Sequence, residues 1–223
     1  MFEAVIFDWD GTLADTKRAV IPAFQKILGQ LRCEVSDDFI ERRIGTGAKN
    51  TFRETLEANK IRFDDRMLKE LVEKKIQAEL ELAGTVKLFE GSIDLLESLN
   101  DKVKMALASM NNRKIVDNML DQKKIRKYFE VILTADEVGK PKPDPEIFLK
   151  CAIKLNCQPE NCVVVEDSIF GVKSAKQAKM NCIAVPTGAY SGEELKKENP
   201  DLIVGSLKER EKVLDFIFQG LRG

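Results

Sequence analysis

The sequence predicts a doubly wound, Rossmann-like α/β fold: a parallel sheet covered by helices, carrying one inserted all-helical block. Three observations predict it. Short apolar runs alternate with helical patterns over most of the chain. The alternation breaks once, between residues 15 and 83, where helical periodicity alone remains. Each of the longer apolar runs stops abruptly at acids or hydroxyls, as buried parallel strands do where they reach a ligand-binding edge.

The elements follow in order. Residues 2–7 (Phe-Glu-Ala-Val-Ile-Phe) form a first buried strand that stops at Asp8. The inserted block follows, with an apolar stripe at Leu68, Leu71, Val72, Lys75 and Ile76 and helix starts at Ser36-Asp37-Asp38 and Asp64-Asp65. Ala83–Glu90 reads as the return linker. Strands are expected at 103–108, 130–133, 162–165, 182–185 and 202–204, and helices at 92–99, 112–120, 145–155, 169–179 and 206–219. The domain reading is therefore a core of residues 1–14 and 84–223, with a helical cap at 15–83.

Composition narrows the chemistry. The 223 residues contain 36 Lys plus Arg against 37 Asp plus Glu, so the electrostatic drive for nucleic-acid binding is missing. The chain has no histidine, which removes Ser-His-Asp and Cys-His catalysis and His-ligated zinc. Acid–base work falls to carboxylates, Lys, Tyr or Cys. Five cysteines, with no Cys-x-x-Cys, argue against a disulfide framework or a structural zinc site and read as reduced, buried thiols. Glu3 and Asp8, with no basic start, do not resemble a signal peptide, and no apolar run approaches a membrane span. A cytoplasmic protein is expected.

The residues at the strand ends carry the functional reading. Asp8, Trp9, Asp10, Gly11 and Thr12 follow the first strand, and Ser109, Met110 and Asn111 follow the strand at 103–108. Gly139-Lys140-Pro141 follows the strand at 130–133, and Glu166, Asp167 and Ser168 follow the strand at 162–165. A single polar residue there is what any strand end in solvent shows. Four carboxylates converging with one lysine repel one another unless a cation or a phosphate chemistry balances them. Asp8, Asp10 and Asp167 would suit Mg²⁺, which takes oxygen ligands and keeps several waters.

With these residues in place the chain resembles the haloacid dehalogenase superfamily. Asp8-Trp9-Asp10-Gly11-Thr12-Leu13-Ala14-Asp15-Thr16 matches the DxDGTLxDT opening of that family, and Ser109 its second motif. Lys140, in Gly139-Lys140-Pro141-Lys142-Pro143-Asp144, is matched to the third motif, and Glu166-Asp167-Ser168 with Gly171 and Ala175 to the fourth. The inserted block resembles the helical cap of the phosphoglycolate phosphatase and β-phosphoglucomutase branch.

The resemblance implies a Mg²⁺-dependent phosphatase. Asp8 would take the phosphoryl group as an acyl phosphate, and Asp10 would protonate the leaving oxygen and later deprotonate water. Ser109 and Lys140 would hold the phosphoryl oxygens. Asp8, Asp10, Asp167 and Glu166 would supply the metal site, Glu166 directly or through water. Gly11, Thr12, Asn111 and, in the cap, Lys49 complete the expected substrate contacts. Lys142 reads as a surface residue, Trp9 as packing, and the Glu193–Glu198 run as solvated. Arg42, Arg43, Lys49 and Arg53 around Gly45-Thr46-Gly47-Ala48 form a basic stretch that either meets an anion or is a solvated helix face.

Dehalogenases lack the second aspartate, so Asp10 points to phosphoryl transfer. A sugar-phosphate mutase is the alternative; such mutases carry a histidine just after the first motif, where Lys17-Arg18-Ala19-Val20 stands here. A non-catalytic protein on the same fold would lack a catalytic group, and none is missing. The expected partner is a small phosphorylated metabolite, phosphoglycolate first, since Gly45-Thr46-Gly47-Ala48 resembles that branch and a basic cap could hold its carboxylate, or else a sugar phosphate, for a monomer or homodimer with no nucleic-acid or membrane partner.

Overall fold

A computed structural model describes residues 1–219. Six strands form one parallel sheet: β1 (Ala4–Phe7), β4 (Lys104–Ala108), β5 (Val131–Leu133), β6 (Cys162–Glu166), β7 (Asn181–Ala184) and β8 (Leu202–Ile203). Their order is β5-β4-β1-β6-β7-β8. The chain winds outward from β1 to β4 and β5, then returns to β6 and winds the other way. β1 and β6 therefore flank the switch point, where parallel sheets open a crevice beyond the strand ends. Phe7 is level with Leu107 and Val165, so Asp8, Ala108 and Glu166 leave the sheet side by side.

Successive side chains of each strand serve opposite layers. Val5 and Phe7 pack on helices α5 (Ser92–Leu99), α6 (Arg113–Lys123) and α10 (Arg210–Gln219). Ala4 and Ile6 pack on α7 (Glu146–Leu155), α8 (Ile169–Gln177) and α9 (Gly192–Lys196). Both faces are covered, which is why β1 and β6 read as continuous apolar runs. Trp9 belongs to the first layer and is fully buried. All five cysteines are free and buried. Among the described residues no helix is long and apolar enough to cross a membrane.

The helical block is α1 (Lys17–Gln30), α2 (Asp37–Glu41), α3 (Ala48–Ala58) and α4 (Asp65–Leu82). It has an apolar cluster of its own, with Val20, Phe24, Ile40, Phe52, Leu56 and Leu68 at its centre. Its helix starts are built as the sequence suggests: the Ser36 side chain accepts from the Phe39 N–H at 3.1 Å and that of Asp64 from the Met67 N–H at 2.8 Å. The return linker differs from expectation. Within it, β3 (Lys87–Leu88) pairs antiparallel with β2 (Ala14–Asp15), tying the chain's way out of the core to its way back. Two-residue strands leave no periodicity for a sequence to show.

Candidate active site

Four loops meet at the switch point, and they bury Asp8, Asp10, Ser109, Lys142, Glu166 and Asp167. Asp8, at the end of β1, is in ion-pair contact with Lys142, whose Nζ lies 2.6 Å from Asp8 Oδ1 and 2.6 Å from Glu166 Oε1. The same ammonium donates to the Ala108 carbonyl at 3.2 Å and lies over the Phe148 ring. Burial pulls the Lys142 ammonium down, but the charges of Asp8 and Glu166 outweigh it and hold the group above its ordinary value. A fixed positive charge therefore stands against Asp8.

Glu166 has little acceptor capacity left. Its Oε2 accepts from the backbone N–H groups of Asp167 and Ser168, at 3.0 and 3.1 Å, and from the Ser168 hydroxyl. Gly171 permits this: a Cβ there would lie 1.8 Å from the Glu166 Cδ. Asp167 is held by Thr12, whose Oγ1 donates to its Oδ1 at 2.9 Å. Gly11, at φ +91°, makes the turn that brings the chain against the Asp167 carboxylate.

Oxygens of Asp8, Glu166 and Asp167 lie within 4.8 Å of one another. The Asp8 Oδ2 is buried and has no hydrogen-bond partner. Burial raises the Asp8 carboxyl, Lys142 opposes it, and Glu166 and Asp10 raise it further, to about 8. Asp167 is likewise well above the ordinary range, through burial and then the charges of Glu166 and Asp8. Oxygen donors alone, an orphaned carboxylate oxygen and strained ionisation together fit a small hard cation.

Asp10 faces a different group of residues. Its Oδ2 accepts from the Ser109 hydroxyl at 2.8 Å, and its Oδ1 lies 3.5 Å from the Asn111 Nδ2. Ser109 Oγ also accepts from the Asn111 N–H at 3.0 Å. Two carboxylates on one strand end thus have separate surroundings, Asp8 beside a lysine and Asp10 beside neutral donors.

A family model described as haloacid dehalogenase-like hydrolase matches residues 5–185, a span that holds every one of these groups. The chain belongs to the haloacid dehalogenase-like hydrolase family. Among its relatives, a phosphorylated carbohydrates phosphatase of Thermotoga maritima is 34% identical over 180 residues, covering 79% of this chain and 81% of that one. Phosphoglycolate phosphatase 1 of Pseudomonas aeruginosa is 29% identical over 215 residues, 92% of this chain and 77% of that one. A β-phosphoglucomutase structure from Clostridium difficile superposes with a TM-score of 0.88 at 26% identity, covering 98% of both chains. The protein is an enzyme of this hydrolase family, with relatives named as phosphatases.

The haloacid dehalogenase-like site corrects several sequence expectations. Lys140 is not in it: its side chain is 74% exposed and its Nζ lies 3.6 Å from Asp144 Oδ2. Lys142, expected at the surface, is buried against Asp8 and Glu166. The reason is local. Glu146, at the start of α7, accepts from the Gly139 and Lys140 N–H groups and pins residue 140 outside, so the next lysine enters beside Phe148. Thr12 turns to Asp167 instead of toward an open site, and Gly11 contributes the turn and, through its carbonyl, an acceptor for Thr187 at 2.6 Å.

In the helical block the basic stretch is paired. Lys49 Nζ is 2.8 Å from Asp65, Arg53 donates to Asn50 at 2.9 Å, and Arg43 pairs with Glu54 at 2.5 Å. Arg42 reaches the core, where its guanidinium lies 2.5 Å from Glu194 and over the Tyr190 ring. Glu194 is therefore not merely solvated, as its charge run suggested; it holds the block to the core. Lys49 and Arg53 line a cavity of about 440 Å³ between block and core, together with Lys75 and Asn111. A narrower space shares Lys75 and Asn111 with this cavity and reaches Asp10.

The sequence reading missed Lys142 and Lys75. Lys75 carried a signal: it is a charged residue on an apolar stripe, with an acid, Glu79, one turn later. Both are buried where α4 meets the core.

Proposed function

We propose that this hydrolase is a Mg²⁺-dependent phosphatase that cleaves a small phosphomonoester through an aspartyl phosphate on Asp8, with residues 15–83 as a cap over the substrate. The observation that carries the reading is Asp8 itself: one oxygen is held by Lys142 while the other is buried without a hydrogen-bond partner. That oxygen stands ready as nucleophile or cation ligand.

Asp8 and Asp167 would hold the cation, with Glu166 engaged by Lys142 and backbone N–H groups and so acting through water. A bound divalent cation supplies charge neutralisation between carboxylate and phosphate. Lys142 supplies a second fixed charge at the same place and keeps Asp8 oriented. Ser109 offers a hydroxyl and Asn111 a carboxamide beside Asp10. Asp10, hydrogen-bonded but not ion-paired, would give a proton to the leaving oxygen and take one from water. The cavity favours a sugar-sized leaving group over a two-carbon acid, because 440 Å³ lies within the range of sites for whole small molecules.

Phosphate release from a panel of phosphorylated metabolites, with and without Mg²⁺, tests the reading, with glucose-1-phosphate isomerisation followed beside it. Mg²⁺-dependent release from sugar phosphates is expected. Full activity in chelator, or isomerisation without release, overturns it.

A further inference from the structure

We propose that Glu79 of α4 is a positioning residue for the reaction: it fixes the Asn111 carboxamide beside Asp10, so that a helix outside the core helps set the geometry of the proton donor. The inference rests on the reading of Asp10 as that donor and goes beyond it by naming what holds its neighbour.

Glu79 is fully buried, and Asn111 Nδ2 donates to its Oε1 at 2.6 Å. The same nitrogen is 3.5 Å from Asp10 Oδ1. On the other side of the amide, Asn111 Oδ1 accepts from the Asn112 N–H at 2.9 Å and from Lys75 Nζ at 3.3 Å. All the amide's bonding positions are thereby engaged. The reversed amide would turn its oxygen on the Glu79 carboxylate and its N–H groups on an ammonium. Glu79, Lys75, the Asn112 N–H and the Asp10 carboxylate thus all select the same orientation, and Lys75 and Glu79 pair with each other one helical turn apart.

A buried ion pair is a poor device for stability alone, since apolar replacements of similar volume are often neutral or stabilising. Lys75 of this pair lines both the narrow space beside Asp10 and the larger cavity. Orientation of the carboxamide is the consequence that the geometry supports. Asn111 also binds Ser109 Oγ through its backbone N–H, so its placement bears on both donors to Asp10.

Two variants separate positioning from stability: K75M/E79Q and K75M/E79M. Both remove both charges and keep similar volume. Only the first keeps an oxygen for Asn111 to donate to. Both are assayed with Mg²⁺ on an alkyl phosphate, which needs the proton, and on p-nitrophenyl phosphate, which needs it less. K75M/E79Q should keep the parent's ratio of alkyl to aryl rates within about threefold. K75M/E79M should lose about tenfold or more in kcat on the alkyl ester, and clearly less on the aryl one, since an ångström of misplacement costs on the order of 10²-fold. Equal rates for the two variants, with parental melting temperatures, overturn the proposal.

Should the methionine variant fail to fold, Asn111→Leu must show the same leaving-group-selective loss, and an unchanged alkyl-to-aryl ratio in Asn111→Leu overturns the proposal. The Asn111 side-chain amide resonance gives a readout independent of turnover. It should be shifted and protected from exchange in the parent and in K75M/E79Q but not in K75M/E79M. A parent that hydrolyses neither ester overturns the phosphatase reading, while an amide resonance indifferent to residue 79 overturns the positioning role alone.

Discussion

The Lys142 ammonium lies 2.6 Å from Asp8 Oδ1, inside the sheet edge, while Lys140, two residues earlier, is 74% exposed. One buried cation therefore faces the carboxylates, and it is the second lysine of the loop. Lys142→Ala should lower turnover by roughly 10²–10³-fold or more. It removes a preorganised charge, worth about 3–4 kcal/mol of barrier, and leaves Asp8 and Glu166 repelling each other. Lys140→Ala should stay within about twofold, as expected for a side chain in a surface pair. Steady-state rates of the two variants decide it, and a reversed order would return the role to Lys140.

Two effects of opposite sign meet at Gly171. Alanine is the better helix former by about 1 kcal/mol, so propensity alone says Gly171→Ala stabilises α8. Its Cβ would lie 1.8 Å from the Glu166 Cδ, and that carboxylate is fixed by Lys142 and two backbone N–H groups. Overpacking costs about 1–3 kcal/mol, and here the displaced group also anchors Lys142. The clash should win: a lower melting temperature and a loss of turnover. A stabilised and fully active Gly171→Ala enzyme would show that Glu166 does not need its present position.

These two cases show what the sequence made legible. The strands, their ends and the first, second and fourth clusters of site residues were readable because a buried strand must be apolar and its polar terminus stands out against it. Asp8, Asp10, Ser109, Glu166 and Asp167 all lie where strand ends placed them. Residues 139–144 have no such periodicity. Two lysines separated by one proline look alike until α7 is in place, because Glu146 decides which of them stays outside. Lys75 and Glu79 carried a signal whose meaning the sequence withheld. Their partner Asn111 is distant in sequence, and only the packing of α4 on the core makes a charged pair on an apolar stripe meaningful.

Metal binding should depend on pH with a definite sign. Burial, against the opposing charge of Lys142 and with those of Glu166 and Asp10, raises the Asp8 carboxyl from the ordinary 3.8 to about 8. The folded protein thus holds a proton that the unfolded chain releases more easily. The contribution of Asp8 to metal-free stability is present below the unfolded value and falls as pH rises toward the folded one. A cation competes with that proton, so Mg²⁺ affinity should rise over the same window and binding should release protons. Melting temperatures at about pH 6 and pH 8, with and without Mg²⁺, should show the larger metal-induced increase at the higher pH. Calorimetry in buffers of different ionisation enthalpy should detect proton release. Affinity independent of pH would mean that Asp8 is already ionised without the metal.

Arg53 lines the large cavity, whose lining includes none of Asp8, Asp10, Glu166 and Asp167, and donates to Asn50. Arg53→Ala should raise KM for sugar phosphates several-fold, within the roughly 1–3 kcal/mol that one charged hydrogen bond is worth, and leave kcat on p-nitrophenyl phosphate nearly unchanged. Equal loss on every substrate would assign Arg53 to the folding of α3.

The surroundings of the two aspartates predict different failures. Asp8→Asn replaces the nucleophile by an amide, which should end turnover on every substrate and leave no covalent phosphate. Asp10→Asn leaves Asp8, Lys142 and Asp167 in place, because Asp10 bonds to Ser109 and Asn111 and to none of those three. An asparagine there still accepts from Ser109 but neither gives nor takes the proton. An alkyl phosphate departs as a strongly basic oxygen and needs the acid; a nitrophenyl or acyl phosphate departs more easily. Acid–base assistance is worth roughly 10²–10⁴-fold, so Asp10→Asn should lose that much on alkyl esters and much less on aryl ones. With the aryl ester the second half-reaction then lacks its base, and phosphate should accumulate on Asp8 as an adduct of about 80 Da in rapid-quench mass spectrometry. If Asp10→Asn instead loses both ester types equally and never labels Asp8, Asp10 is not the acid–base group, and direct attack of an activated water on phosphorus becomes the better account of the site.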